Sequence, residues 1–338
     1  MTTQNQTRRD FLKTLGAGSL LAASGCRLLP RGFREPDRDR PTLRFGVIAD
    51  VHHGLHPKAR ERLLPFIAEM NHRRADFIIQ LGDFCQGYSR RNKDKFDDFM
   101  RLWNSFRGPK YHVLGNHDMD GCSKREIMDY WGMEAATFSF DRGGYHFVVL
   151  DSNSFKLSDE YIHYDTGNYF KHPEGRSYLT AAQIEWLGHD LAATARPTII
   201  FSHRGLDPQR GVKDGGPVRA LLEGTNREAG WQKVVACLCG HYHRDGYEII
   251  SGIPYIQINS AVYHWLGGEW KWVEYADLLY ATVILHPGGL EMEGRRNRLV
   301  PHWPTDAPDA PDVGPDVTAR ISNLGFRFSS SPSRQRPG

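Results

Sequence analysis

Short apolar segments alternate with amphipathic segments along the first half of the chain. Residues 43–49, 77–81 and 111–114 are apolar runs of the length expected for buried β-strands. Between them, residues 58–73 and 94–106 carry apolar side chains near the helical period. This order of strand, helix and strand predicts an α/β fold, with polar residues standing where each strand ends.

The second half repeats the alternation with a more antiparallel character. Residues 137–151 predict a hairpin that turns at residues 142–144. Thr180 predicts the N-cap of a helix that runs to about residue 193. Apolar or alternating patterns predict further strands at residues 198–201, 234–238, 247–258 and 278–285.

The first 42 residues do not share this pattern. Arg8 and Arg9 precede Phe-Leu-Lys and an uncharged run rich in Leu, Ala and Gly, which resembles a twin-arginine export signal. The run is about 12 residues long, short of the roughly 20 that span a bilayer. We therefore expect residues 1–26 to be a signal peptide, residues 27–42 to be a linker, and the protein to reach the periplasm or cell envelope.

Cys26 follows small residues in a way that resembles the cleavage box of bacterial lipoproteins, although Ala23 replaces the usual Leu. Lipidation of Cys26, which would tether the protein to a membrane, and ordinary cleavage remain two alternatives. For the other cysteines, Cys85, Cys122, Cys237 and Cys239, burial as small apolar side chains is favoured over disulfides.

The composition also changes near residue 300. Five prolines follow within 15 residues, interleaved with Asp and Ala, and such a segment buries too little apolar surface to offset its ordering entropy. We expect a folded domain over residues 43–300 and a Pro-rich, disordered tail over residues 301–338. Phe326 and Phe328 allow one short docked piece.

Net charge narrows the range of partners. The formal charge is +3, and the leader carries a net +2, so the mature chain is near +1. Long nucleic acid is not an expected partner, because nothing in the sequence forms a basic stripe.

Five polar clusters each follow an apolar strand run, and they are the candidate chemistry of the chain. They are Asp50-Val51-His52, Gly82-Asp83, Gly115-Asn116-His117-Asp118, His203, and Gly240-His241-Tyr242-His243. The ordered set resembles the five-block signature of the calcineurin-like metallophosphoesterase superfamily. The resemblance implies a four-layer α/β sandwich of two mixed β-sheets flanked by helices, with a metal site at the C-terminal ends of the strands.

By this resemblance, the chain hydrolyses a phosphate ester of a small substrate with two metal ions and a hydroxide that bridges them. Asp83 would bridge the ions, and the other ligands would be Asp50, His52 and His243 for the first ion and Asn116, His203 and His241 for the second. Imidazole, carboxylate and amide ligands suit Mn, Fe or Zn.

The resemblance places His117 as the general acid, with Asp118 holding its ring. Asn116 and Arg204 are the candidate phosphate contacts, although a solvated Arg204 is an alternative. A further expectation concerns residues 152–177, which hold several aromatic residues without a clear period. They are interpreted either as a lid beside the site or as an ordinary surface loop.

Two departures narrow the superfamily. Gln86 stands where purple acid phosphatases have a metal-binding Tyr, so no ferric tyrosinate site is expected. The phosphate-gripping Arg of the serine/threonine phosphatases is absent, and the motifs look more like the cyclic nucleotide phosphodiesterase branch. The alternatives are a nuclease or nucleotide pyrophosphatase of the same superfamily, and a non-catalytic metal-binding scaffold.

Overall fold

The computed structural model describes residues 43–266, 272–300 and 317–329. The predicted signal peptide, the linker and Cys26 lie outside the described residues. None of the helices in the described ranges is both long and apolar enough to cross a membrane.

The helices and strands alternate as the apolar pattern predicts. In chain order, the helices are α1 (Ala59–His72), α2 (Asp94–Asn104), α3 (Lys124–Trp131), α4 (Ala181–Ala193) and α5 (Gly215–Ala229). The strands of the first half are β1 (Leu43–Ile48), β2 (Phe77–Gln80), β3 (Lys110–His112), β4 (Phe138–Arg142), β5 (Tyr145–Leu150), β6 (Ser154–Leu157), β7 (Glu160–His163) and β8 (Arg176–Tyr178). Those of the second half are β9 (Thr198–Ser202), β10 (Val234–Cys239), β11 (Gly246–Ile250), β12 (Ile253–Gln257), β13 (Tyr263–Trp265), β14 (Trp272–Tyr275), β15 (Ala281–His286), β16 (Gly289–Gly294), β17 (Leu299–Val300) and β18 (Leu324–Arg327).

Two mixed six-stranded sheets form the centre of the fold. The first has the order β18-β16-β15-β1-β2-β3 and the second the order β11-β12-β10-β9-β5-β4. Within the first sheet β1, β2 and β3 are parallel, and within the second β5, β9 and β10 are parallel. Helices α1 to α3 pack on the outer face of the first sheet, and α4 and α5 pack on that of the second. The predicted four-layer α/β sandwich is confirmed.

Aromatic side chains fill the space between the two sheets. Phe45 stacks on Phe77 with ring centroids 4.7 Å apart, and Phe147 and Phe201 of the second sheet stack on each other. Phe45 meets both of these rings edge to face, an arrangement that is favourable beyond the burial of apolar area. The sheets are thereby held face to face, with the ends of their parallel strands along one edge.

Local capping defines several helix ends. The side chain of Thr180 accepts the backbone N–H of Gln183 at 3.2 Å, so the predicted N-cap of α4 is confirmed. Ser123 and Glu126 form a capping box at the start of α3, and Gly132 ends this helix in the left-handed conformation.

Residues 317–329 contain the short docked piece that Phe326 and Phe328 allow. Strand β18 pairs antiparallel with β16, and Phe326 is fully buried in the core between the sheets. The partner strand supplies backbone hydrogen bonds, and the core buries the ring, which together offset the ordering of a short segment. The folded domain therefore does not end at residue 300.

The interval 152–177 is also more regular than its pattern suggests. It contains β6, β7 and the first residues of β8, which form a small three-stranded sheet in the order β7-β6-β8. The four cysteines of the folded part are buried and unpaired, as favoured from the sequence.

Candidate metal centre

The structure brings together all seven side chains that were predicted as metal ligands. They form two groups of convergent nitrogen and oxygen atoms, one of which contains Asp50, His52 and His243 and the other Asp83, His203 and His241. Asn116 joins the second group, because its Oδ1 atom lies 3.1 Å from His203 Nε2. Each residue follows the C-terminal end of β1, β2, β3, β9 or β10, so both large sheets contribute.

Backbone contacts hold the two sheet edges together at this point. The backbone N–H of His241 donates to Asp50 Oδ2 at 2.9 Å, which links the ends of β10 and β1. Gly82 and Gly115 allow the loops to approach, because an added Cβ at Gly82 would clash with the His203 ring and one at Gly115 with Asp83.

Five of the seven residues adopt left-handed backbone conformations. Their φ angles lie between 48° and 72°, a region that costs non-glycine residues about 1–3 kcal/mol each, and they are Asp50, His52, Asp83, His241 and His243. The surrounding packing offsets the cost of these backbone conformations. The conformations direct the five side chains towards the common centre.

In the first group, nitrogen and oxygen atoms face one another closely. His52 Nε2 lies 3.2 Å from His243 Nε2, which in turn lies 3.4 Å from Asp50 Oδ1. The other ring nitrogen of His52 donates to Gln86 Oε1 at 2.8 Å, and that of His243 donates to the Tyr263 carbonyl at 3.1 Å. These outer bonds direct the Nε2 lone pairs inward, as metal-binding histidines require.

The second group has the same character. His203 Nδ1 donates to the Leu81 carbonyl at 2.8 Å, which directs Nε2 inward. His203 Nε2 then meets Asp83 Oδ2 at 3.2 Å and His241 Nδ1 at 3.1 Å. Because so many lone pairs converge, a cation between them would relieve their repulsion. The residues present therefore fit two metal ions.

Asp83 lies between the two groups. Its Oδ2 atom is 3.2 Å from His203 Nε2 and 3.9 Å from His52 Nε2, so one carboxylate faces both sites. Burial opposes its ionisation, but His203 and His117 outweigh burial and hold the pKa of Asp83 well below its usual range. An ionised carboxylate at this position is what a shared ligand requires.

Burial and nearby carboxylates act in opposite directions on the pKa values of the imidazoles in the centre. Burial lowers the pKa of His52 to about 3, so its ring is neutral and ready to bind a metal. Burial also lowers the pKa of His203, but Asp83 outweighs this effect and raises the pKa to about 9. The same negative field that attracts a proton to His203 attracts a metal ion.

His117 lies beside the two groups and is joined to Asp83 through its backbone. Its N–H donates to Asp83 Oδ1 at 2.7 Å, and its ring centroid lies 5.5 Å from that of His52. Burial lowers the pKa of the ring, but Asp83 and Asp120 outweigh burial and raise it to about 9. A protonated His117 therefore stands at the edge of the metal centre.

The prediction that Asp118 holds the ring of His117 is wrong, because Asp120 does so, with Oδ2 2.8 Å from His117 Nδ1. Asp118 is fully buried and accepts backbone N–H groups of Asp83, Cys85 and Gly115 at 2.7–3.0 Å. Its role is therefore to hold together the loops that follow β2 and β3.

Gln86 connects the first group to His117. Its Oε1 accepts from His52 Nδ1 at 2.8 Å, and its Nε2 donates to Asp120 Oδ2 at 3.2 Å. In the sequence, Gln86 was noted only because it replaces a tyrosine. In the structure, its side chain forms hydrogen bonds with both His52 and Asp120.

Arg204 lies beside the centre and is not simply solvated. Its Nη1 donates to Ser177 Oγ at 2.6 Å, and its guanidinium lies 5.4 Å from the ring centroid of Tyr242. This charge contributes to lowering the pKa of His241 well below its usual range, after burial and His203. The guanidinium is therefore close enough to influence the second group.

The interval between β7 and β8 brings aromatic residues to His117. The ring centroids of Tyr169 and Phe170 lie 5.8 and 5.9 Å from that of His117. Tyr263 lies on the other side, with its ring 5.2 Å from that of His52. Tyr169 and Phe170 are among the aromatic residues of the interval 152–177, but no pattern in the sequence marks which of those rings faces the site, and none marks Tyr263.

An α/β sandwich with two convergent ligand groups at its strand ends defines a hydrolase of the two-metal class. The family model described as calcineurin-like phosphoesterase matches residues 43–245, which is more than half of the chain. The protein belongs to this family, and it is a hydrolase that acts on phosphate esters and uses two divalent metal ions.

Known proteins are similar over much of the chain. A protein of Oryza sativa subsp. japonica named manganese-dependent ADP-ribose/CDP-alcohol diphosphatase is 24% identical over 276 residues, which cover 66% of this chain and 84% of that protein. Tartrate-resistant acid phosphatase type 5 of Sus scrofa is 26% identical over 193 residues, covering 51% of this chain and 54% of that protein. The crystal structure of a dimetal phosphatase from Danio rerio has a TM-score of 0.58 at 18% identity, and the match covers 77% of this chain and 99% of that one.

Proposed function

We propose that this protein is an exported, Mn²⁺-dependent phosphoesterase that cleaves a phosphodiester or phosphoanhydride bond in a small nucleotide-linked substrate. The observation that carries the proposal is the convergence of two ligand groups on Asp83, with His117 at their edge. The relatives named manganese-dependent ADP-ribose/CDP-alcohol diphosphatase support both the metal and the substrate class.

Each residue has a role in this proposal. Asp50, His52 and His243 would hold one ion, Asn116, His203 and His241 would hold the other, and Asp83 would be a ligand of both. Bound metal ions supply charge neutralisation and a water molecule of lowered pKa. Among the described residues, Asn116 Nδ2 is buried without a hydrogen-bond partner, so it is free to donate to a phosphate oxygen.

His117 would donate a proton to the leaving oxygen, which matters most where that oxygen departs as a basic alkoxide. Asp120 accepts from Nδ1 of this ring, so Nε2 is the atom left to deliver a proton. For ADP-ribose, water adds to one phosphorus, the bond from that phosphorus to the bridging oxygen breaks, and the products are AMP and ribose 5-phosphate.

The experiment compares substrates on one metal-loaded preparation. The protein is stripped with chelator, reloaded with Mn²⁺, Fe²⁺ or Zn²⁺, and supplied with ADP-ribose, CDP-glycerol, bis-(p-nitrophenyl) phosphate or p-nitrophenyl phosphate. We expect Mn²⁺-dependent turnover of ADP-ribose or CDP-glycerol above that of p-nitrophenyl phosphate. Turnover of the monoester alone would identify a phosphatase, and no turnover of any substrate would favour the scaffold alternative.

Export is a separate part of the proposal and rests on Arg8 and Arg9 ahead of the apolar run. A fusion of residues 1–42 to a folded reporter should reach the periplasm, and replacement of both arginines by lysine should stop it. Cys26→Ala should change the size and membrane association of the mature protein only if Cys26 carries lipid. Retention of the fusion in the cytoplasm would contradict the export proposal.

A further inference from the structure

An exposed aromatic ring lies at the edge of the metal centre. Phe170 is 63% exposed, although its ring lies 4.9 Å from Tyr169 and 5.9 Å from His117. Tyr169 is buried beside it, so Phe170 presents its free surface to solvent next to His117. An exposed ring at the edge of a reactive site is available to contact a bound ligand.

Two cations flank this aromatic pair. The guanidinium of Arg176 lies 4.2 Å from the Tyr169 ring centroid, and Arg204 donates to Ser177 Oγ at 2.6 Å. Within residues 43–266, 272–300 and 317–329, neither guanidinium forms an ion pair with a carboxylate. We call Tyr169, Phe170, Arg176 and Arg204 the rim.

The rim therefore combines an open π-face with unpaired positive charge, next to a centre that attacks a phosphate. A nucleotide offers the complementary chemistry, because its base stacks on aromatic rings and its phosphates bind guanidinium groups. A simple phosphate monoester would use neither feature fully.

We infer that the rim binds the nucleoside half of the substrate, with the base stacked on Phe170 and the phosphate that is not attacked held by Arg176 and Arg204. This inference rests on the proposed function and adds the residues that select the substrate. It accounts for why an exposed phenylalanine lies at this edge of the site together with two arginines that pair with no carboxylate in the described part of the chain.

The test measures binding of the two products of ADP-ribose hydrolysis, which differ in the base. Dissociation constants for AMP and ribose 5-phosphate are measured by calorimetry on Mn²⁺-loaded protein. We expect the wild type to prefer AMP, and Phe170→Ala to weaken AMP binding by about 5- to 30-fold while changing ribose 5-phosphate binding by less than about 2-fold. Phe170→Trp, which keeps a π-face, should retain the preference.

A matched control exists in the same small sheet. Ile162 on β7 is 44% exposed and apolar, so Ile162→Ala tests the loss of an exposed apolar side chain away from the rim. It should leave both dissociation constants unchanged. For the cations, Arg176→Ala should weaken AMP binding by roughly 10-fold and leave ribose 5-phosphate binding nearly unchanged, because AMP carries the phosphate that is not attacked.

The outcomes separate this inference from the proposed function. No AMP preference in the wild type, or an equal loss for both ligands in Phe170→Ala, would overturn the inference even if ADP-ribose is hydrolysed. Conversely, a base preference that depends on Phe170 would support the rim, whereas failure to hydrolyse ADP-ribose would overturn only the proposed reaction.

Discussion

The metal centre and the rim lie side by side but are built differently. The seven side chains of the centre are almost all buried and follow strands of both large sheets, and five of them belong to residues with strained backbone. Three of the four rim residues come from one interval around a small three-stranded sheet, and Phe170 is mostly exposed. Packing in the core therefore fixes the positions of the residues of the centre, whereas contacts within a short interval of the chain fix most of the rim.

We therefore expect the centre to determine metal binding and turnover, and the rim to determine which substrate binds. Changes in the centre should remove metal or turnover, because strained and buried ligands have no alternative arrangement. Changes in the rim should alter which molecule binds and leave the metal ions in place.

The largest effect should come from Asp83→Ala, because this carboxylate faces both ligand groups and also accepts the His117 N–H. We expect bound metal to fall from two ions to at most one. Loss of a proton donor typically slows turnover by about 10²- to 10⁴-fold, and the loss of turnover in Asp83→Ala should be larger than that. Elemental analysis and turnover of bis-(p-nitrophenyl) phosphate measure both. Asp190→Ala is the control, since Asp190 bonds His146 outside the site. Two tightly held ions in Asp83→Ala would refute the shared-ligand assignment.

His117→Ala should keep both ions and slow hydrolysis by about 10²- to 10⁴-fold for substrates with poor leaving groups. Nitrophenolate leaves without a proton, so its esters should be affected least. Rates across a series of leaving groups, with metal content measured in parallel, provide the test. A uniformly slow variant would indicate lost phosphate binding in place of lost proton transfer.

The contrast between these regions also explains what could be read from the sequence. The convergence of the seven side chains could be predicted because each follows a buried apolar strand, and parallel strand ends meet at one edge by topology. The partner of His117 was misassigned because the chain forms a 3₁₀ turn at His117–Met119. Residues three apart share a face in such a turn, so Asp120 reaches the ring and Asp118 does not.

Long-range pairing hid other parts of the fold. Strand β18 has four residues, and its stability depends on β16 and on a core formed by residues far away in the chain. Local composition therefore favoured disorder around it. The exposure of Phe170 could not be predicted either, because residues 164–175 between β7 and β8 form no helix or strand whose period would mark an exposed face.

Gln86→Leu should give an intermediate effect. The substitution removes the acceptor for His52 Nδ1 and the donor to Asp120, so both a metal ligand and the general acid lose orientation. Loss of such an outer partner typically costs about 10- to 100-fold in metal affinity or activity. The Mn²⁺ concentration for half-maximal activity should rise, and Gln86→Glu, which keeps an acceptor for His52, should recover part of the affinity. Unchanged Mn²⁺ dependence in Gln86→Leu would show that His52 is held without Gln86.

The smallest effect on chemistry should come from Tyr164→Phe, which loosens the support of the rim. The Tyr164 hydroxyl accepts the buried N–H of Ser177 at 2.7 Å, and Ser177 Oγ in turn accepts from Arg204. Without the hydroxyl, that N–H loses its partner at a cost of about 1–3 kcal/mol. We expect a melting temperature lower by several degrees, KM for ADP-ribose raised a few-fold, and kcat and metal content nearly unchanged. Loss of metal from Tyr164→Phe would contradict this separation. It would show that a hydrogen bond in the small sheet affects the residues at the ends of the two large sheets, so that the rim and the centre form one cooperative unit.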